Sequence, residues 1–222
     1  MARFVIACID SDKNNCHIWI NNIINIKESW KDKDYEIKVT AMTTHKSYAN
    51  GINLLLNENP GYDFYIIMHS DVFVIYNNFL DNIVKYKNIG LMGVVGLASK
   101  MPEDLVWWNG ERKVGQVVEW RKGFPFPYEL AFERVVKPVE VSMLDGLCLI
   151  LTTNKVRIPE EFDDYHFYDY ALCQEVKKLG KKVAVVPQSS TWFLHNTKIY
   201  PELPEAFWRS AAKAKEMYAN SD

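Results

Sequence analysis

The sequence predicts an α/β protein, a single domain with a mostly parallel sheet flanked by helices. Three observations carry this expectation. In roughly the first hundred residues, short apolar runs of strand length alternate with segments whose apolar residues recur at helical spacing. Strands alternating with helices imply crossover connections and parallel pairing. The 222 residues, 48% of them hydrophobic, suffice for one sizeable core and leave too little for a second.

The elements follow in order. Arg3–Ile9 is an apolar run of central-strand type, followed by a polar, turn-like stretch from Asp10 to Asn15. His17 to Trp30 carries Ile20, Ile23, Ile24 and Trp30 on a helical face. Tyr35–Met42 alternates as a strand. Ser47–Asn57 reads as a helix stopped by Asn59-Pro60-Gly61. Asp63–Met68 is a third strand, Asn77–Lys87 a helix capped by Asn77 or Asn78, and Ile89–Leu97 a Gly-punctuated strand. Met101 to Pro127, with Trp107, Trp108 and Trp120, reads as a hairpin or a mobile loop. Val139–Met143 and Leu147–Thr153 are strand-like around Asp145-Gly146. Tyr168–Leu179 is a helix closed by Gly180, Lys182–Val186 a strand, and Glu202–Ala219 a C-terminal helix. That helix is expected to cap the fold, with contact to a partner or membrane surface as the alternative.

Composition excludes several classes. A net charge of −2 argues against a polyanion binder, so no nucleic-acid partner is expected. No apolar run is long enough for a membrane span, so no transmembrane segment is expected. Cys8, Cys16, Cys148 and Cys173 are scattered without a C-x-x-C pair, which suits reduced thiols of a cytoplasmic protein rather than a zinc site. Aromatics reach 14%, with seven Trp and twelve Tyr; either the surface is Tyr-rich or a cleft stacks flat ligands.

Ligands of such sheets bind at the carboxyl ends of the strands, and four segments there carry chemistry. His69-Ser70-Asp71 ends the third strand. Two residues apart on a strand, His69 and Asp71 would project together and could share a divalent cation; otherwise Asp71 caps a turn. Thr43-Thr44-His45-Lys46-Ser47-Tyr48-Ala49-Asn50-Gly51 runs from a strand end into a helix and suits phosphate or nucleotide contact, or simply an N-cap at Ser47. Phe162 to Asp169 sets Asp163, Asp164 and Asp169 among aromatic side chains, where a carboxylate could have a raised pKa and act as a general base. His195, after the last strand, matters if the fold brings it near Asp71.

Taken in order, these segments resemble family 2-type glycosyltransferases with a GT-A fold. The likeness is greatest to a His-x-Asp branch related to a streptomycin-biosynthesis protein domain. Asp63 through Asp71 matches that branch's strand and motif, Ser47 to Ile52 its helix start, and Leu144-Asp145-Gly146 its acceptor-side segment. Phe162-Asp163 through Cys173 matches the block that carries the base, and Val185-Val186-Pro187 with His195 the closing segment. The resemblance spans about residues 3 to 196.

It implies a nucleotide-diphosphate sugar donor, a glycan or glycolipid acceptor, and Mn²⁺ or Mg²⁺. Asp71 would bind the metal, with His69 and His195 as further ligands. Cys8, Asp10, Thr43, Ser47, Asn50, His69, Ser70 and Asp71 would lie on the nucleotide-sugar side. Asp145 and Gly146 would line the acceptor side, where Trp107 and Trp108 either stack an acceptor sugar or anchor a loop. Asp169 would deprotonate the acceptor hydroxyl. Residues 1–98 would form the donor half, 99–200 the acceptor half and 201–222 the closing helix. The chain departs from the family at His69, where Asp is usual, at Tyr168, often Glu, and at Ala171, often Asp. A non-catalytic carbohydrate-binding or scaffold protein of the same fold is the alternative.

Overall fold

The computed structural model describes residues 1–43, 47–121, 123–197 and 202–219. It begins with strand β1 (Ala2–Asp10), helix α1 (Lys13–Lys27), β2 (Tyr35–Thr43), α2 (Tyr48–Glu58), β3 (Phe64–Met68), β4 (Val72–Val74) and the short α3 (Phe79–Ile83). Then come β5 (Leu91–Gly93), β6 (Val95–Leu97), β7 (Lys113–Glu119), β8 (Tyr128–Ala131), β9 (Val139–Glu140), β10 (Met143–Leu144) and β11 (Cys148–Leu151). Helix α4 (Tyr168–Lys178), β12 (Val183–Val185), β13 (Phe193–His195) and α5 (Glu205–Tyr218) follow.

Seven strands form one sheet in the order β2-β1-β3-β11-β5-β12-β9. β1 pairs in parallel with β2 and β3, and β5 with β12, as the strand–helix alternation predicts. Elsewhere the sheet is mixed rather than mostly parallel. β11 runs antiparallel to both β3 and β5, and β9 antiparallel to β12. A period of two reads the same in either chain direction, so local pattern does not distinguish them. A second sheet has the order β10-β6-β7-β13-β4, with β8 paired to β7 as a hairpin.

Several boundaries differ from the sequence reading. Asp12 starts α1 early, its carboxylate accepting from Asn14 N at 2.8 Å, and the last turn, Glu28–Trp30, tightens to a 3₁₀ helix. The Asn77–Lys87 segment contracts to α3 plus a 3₁₀ turn at Val84–Tyr86, and Asn78 stands at the N-cap without a side-chain bond. Ile89–Leu97 divides at Val94 into β5 and β6, which join different sheets. Val139–Met143 divides likewise into β9 and β10. β4 and β13 are too short to leave a periodic signal.

β1 is central and buried on both faces. Val5, Ala7 and Ile9 face one core with Ile52 of α2 and Leu172 of α4; Phe4, Ile6 and Cys8 face another with Trp19 of α1 and Phe79 of α3. Each fully buried large side chain contributes about 1.5–3 kcal/mol. The four cysteines are buried free thiols, with Cys8 and Cys16 sulfurs 3.9 Å apart. Burial raises the pKa of Cys8, Cys16 and Cys148, which keeps them protonated and inert. Among the described residues no helix is long and apolar enough to cross a membrane.

Candidate active site

Parallel β1, β2 and β3 end on one edge. Asp10 and Thr43 are paired there, and β3 delivers His69-Ser70-Asp71. These three residues form a turn rather than an extended strand end, closed by Val72 N donating to His69 O at 3.2 Å. The turn, not strand alternation, sets His69 Nδ1 4.0 Å from Asp71 Oδ1. His195 ends β13 opposite Val72 of β4, with its Nε2 3.6 Å from the same Asp71 oxygen. Asn196 N donates to Asp71 O at 2.8 Å and fastens the two segments together. Asp10 accepts from the Ser70 hydroxyl, from Asp12 N at 2.8 Å and from Asn15 Nδ2 at 3.2 Å. Asp10, His69, Ser70, Asp71, His195 and Asn196 border a groove of about 710 Å³.

His69, Asp71 and His195 fit a divalent cation. One ligand atom from each lies within 4.8 Å of the others. Two imidazole nitrogens and one carboxylate oxygen suit Mn²⁺ better than Mg²⁺, which prefers oxygen donors. The His69 tautomer suits it too. Burial raises the Tyr168 pKa well above its usual value, so the phenol keeps its proton and donates it to Gly146 O at 3.1 Å. With that proton donated to Gly146 O, the phenol oxygen would accept from His69 Nε2–H, a tautomer that would leave the Nδ1 lone pair for a cation. Burial also lowers the His69 pKa, favouring the neutral ring a metal needs.

Beyond His69 lies a second cavity of about 460 Å³. It is reached because antiparallel β11 starts opposite Met68, which brings Leu147 O onto His69 N at 3.1 Å and Asp145-Gly146 beside it. Asp169, in the first turn of α4, accepts from Gly146 N at 3.1 Å and Tyr170 N at 2.8 Å. Burial, then the charge of Asp145, pushes its pKa up to about 7 against the pull of those backbone donors. Gly146 is required by space: a Cβ there would collide with the Tyr168 hydroxyl and crowd Asp169.

The backbone around this cavity is strained. Phe167, the residue before α4, has φ 60° and Leu105 has φ 58°. These are the left-handed non-glycine residues among those described, and both line the cavity. Each costs about 1–3 kcal/mol, which surrounding packing must offset. Trp107 and Trp108 line it as well, whereas Trp120 lies outside, its indole donating to Phe124 O at 3.3 Å.

The fold thus gathers Asp10, His69, Ser70, Asp71 and His195 in one groove, and Asp145, Gly146, Trp107, Trp108 and Asp169 in the next, with His69 lining both. Other predicted residues stand apart. Ser47 caps α2, accepting from Asn50 N at 3.1 Å, and both border a separate groove with Arg157. Cys8 is fully buried, so only its backbone could meet a ligand. Thr43 is exposed at the end of β2; Thr44, His45 and Lys46 lie outside the described residues. Individual roles for Tyr48, Tyr165, His166 and Phe207 escaped the sequence reading. Tyr48 stacks on Tyr168 at 4.5 Å and meets His69 edge-on at 5.2 Å. The first three lie inside segments already marked, where asking which rings could face His69 would have found them. Phe207, on α5, has no such local signal.

The architecture is that of GT-A-like glycosyltransferases. The structure of GalNAc-T7 with UDP, GalNAc and Mn²⁺ superposes with a TM-score of 0.58 at 7% identity, over 97% of this chain and 48% of that one. TarS residues 1–349 of S. aureus gives 0.52 at 13% identity, over 100% of this chain and 66% of that one. The chain spans about half the length of the first and about two thirds of the second, and at these identities the likeness establishes the fold. In sequence, a family model described as "Glycosyltransferase like family" matches residues 4–215. The chain belongs to this glycosyltransferase-like family. No curated protein matches it in sequence.

Proposed function

We propose that the protein transfers a sugar from a nucleoside-diphosphate sugar to an acceptor hydroxyl on a glycan or glycolipid, in one displacement that inverts the anomeric carbon. The observation that carries this is Asp169: a carboxylate with its pKa raised to about 7, in a cavity that shares His69 with the His69-Asp71-His195 cluster. A base poised near neutral pH can take a hydroxyl proton without being permanently neutralised.

Asp71, His69 and His195 would hold the divalent cation, Mn²⁺ in preference to Mg²⁺. A bound cation there offsets the negative charge that builds on the departing diphosphate. Asp169 accepts the acceptor O–H proton. The acceptor oxygen bonds to the anomeric carbon from the side opposite the leaving group. The bond from that carbon to the phosphate oxygen breaks, and its electron pair leaves on the nucleoside diphosphate. Asp10, Ser70 and Thr43, at the strand ends, serve the nucleotide, with the Cys8 backbone behind them. Ser47 and Asn50 act by forming the start of α2, which carries Tyr48 into the site. Residues 1–98 form the donor half and 99–200 the acceptor half, with His195 crossing over to complete the cation site.

The test is a screen of nucleoside diphosphates with and without Mn²⁺, read by thermal shift, followed by transfer from the matching nucleotide sugar and NMR of the product's anomeric centre. Metal-dependent stabilisation by one nucleotide class and an inverted product are expected. No metal-dependent shift from any nucleotide would sink the donor site, and a retained configuration would sink the single displacement.

A further inference from the structure

The cavity beyond His69 is polar at one end and apolar at the other. Its polar groups are tied to one another: Asp169 to Gly146, Tyr168 to Gly146 and to His69, with Asp145 alongside. The opposite end is built from α5. Phe207 reaches in and meets Phe167 at 4.9 Å, the edge of His166 at 5.5 Å and Trp108 at 6.1 Å. Leu203, just before α5, and Met143 of β10 also line the cavity. The polar side chains near that end are Tyr165, His166, whose ring burial keeps neutral, and Asp164, which faces Arg209 at 3.8 Å and accepts from Tyr165 N.

The wall is fixed in position. Lys213 on the same helix donates to Asp163 at 2.6 Å and to Glu161 O at 2.8 Å, and Tyr218 donates to Glu175 at 2.9 Å. Phe167, with its left-handed backbone, packs against Phe207 of this wall. Trp108, 46% exposed, stands at its rim.

We infer that this cavity takes an amphipathic glycoside as acceptor, its attacking hydroxyl at Asp169 and its alkyl or aryl body against Phe207 and Trp108. The inference rests on the glycosyl-transfer reading and narrows its acceptor. A free oligosaccharide carries hydroxyls around its whole periphery, and those facing the Phe207, Phe167 and Leu203 side chains would lose water without gaining a partner. An apolar body gains from the same burial.

Octyl β-D-glucopyranoside and methyl β-D-glucopyranoside share a sugar and differ in the tail. Their binding to the full chain can be followed by quenching of tryptophan fluorescence. The octyl compound should bind at least about tenfold tighter, and Trp108→Ala and Phe207→Ala should each narrow that gap. Trp108 is exposed enough for its variant to fold if loss of Phe207 loosens α5. Equal binding of the two glucosides, or a gap unchanged in both variants, overturns the inference. In parallel, UDP, GDP and ADP are titrated with Mn²⁺ into the wild type and Asp71→Ala. No metal-dependent nucleotide binding in the wild type overturns the transfer reading and the acceptor role with it. Nucleotide binding without discrimination between the glucosides overturns the amphipathic acceptor alone.

Discussion

The two halves of the site use the same residue type for opposite ends. In the groove, Asp71 is 41% exposed at the side chain and faces two imidazoles, held by turns at strand ends. In the cavity, Asp169 is half-buried beside Asp145, and loss of water there disfavours its charge. A carboxylate with access to water among metal-ligating neighbours can hold a cation. One largely withdrawn from water beside a like charge binds a proton near neutral pH and can exchange it. The contrast lies in the surroundings, since the two side chains are identical.

The largest expected effect breaks the cavity side alone. Asp169→Asn should lower turnover by about 10²–10⁴-fold while metal-dependent nucleotide affinity stays within about twofold. Single-turnover kinetics with calorimetry separate the two, and wild-type turnover in the variant would remove Asp169 as the base. Asp71→Ala breaks the other side. Mn²⁺-dependent nucleotide binding should weaken by at least about 100-fold, as expected for a lost ligand; unchanged calorimetric affinity would place the cation elsewhere.

Tyr168→Phe tests the link between the halves. It removes the acceptor for His69 Nε2–H, so Mn²⁺ affinity should fall by about 10–100-fold with the fold intact. Mn²⁺ affinity that does not change would mean Tyr168 does not orient the imidazole.

The Asp169 pKa makes two smaller predictions. Turnover requires the ionised carboxylate, so kcat should rise with pH and level off above about 7. A profile flat from pH 5 to 8 would be inconsistent with this base. Stability should run the other way. The folded pKa is raised, so between about 4 and 7 the folded state retains a proton that the unfolded chain has released, and stability falls as pH rises through that window. At pH 8, Asp169→Asn should therefore raise Tm, by roughly 2–4 °C for each kcal/mol recovered, and by less at pH 4. A lower Tm at pH 8 would show that the Gly146 and Tyr170 bonds outweigh desolvation.

Much of the site was legible locally. His69, Asp71, Asp145, Gly146, Asp169 and His195 all lie in segments whose chemistry or family resemblance marks them, and Ser47 caps its helix as its residue type predicts. The left-handed turn at Phe167 and the wall formed by Phe207 left no such mark. The first is an ordinary apolar residue in an unusual conformation, and the second sits on a helix whose pattern says only that one face is buried.

By itself, the sequence determined the strand and helix alternation of the first half, the buried double-sided β1, and the residue types available at each strand end. These follow from periodicity and caps, which involve near neighbours. Only the tertiary structure decided that β11 enters antiparallel between β3 and β5 and brings Asp145-Gly146 to His69, that β13 returns His195 to Asp71, and that Phe207 of α5 joins Asp169 in lining one cavity. Strand direction and desolvation depend on pairings between residues far apart in the chain, and no local spacing encodes them.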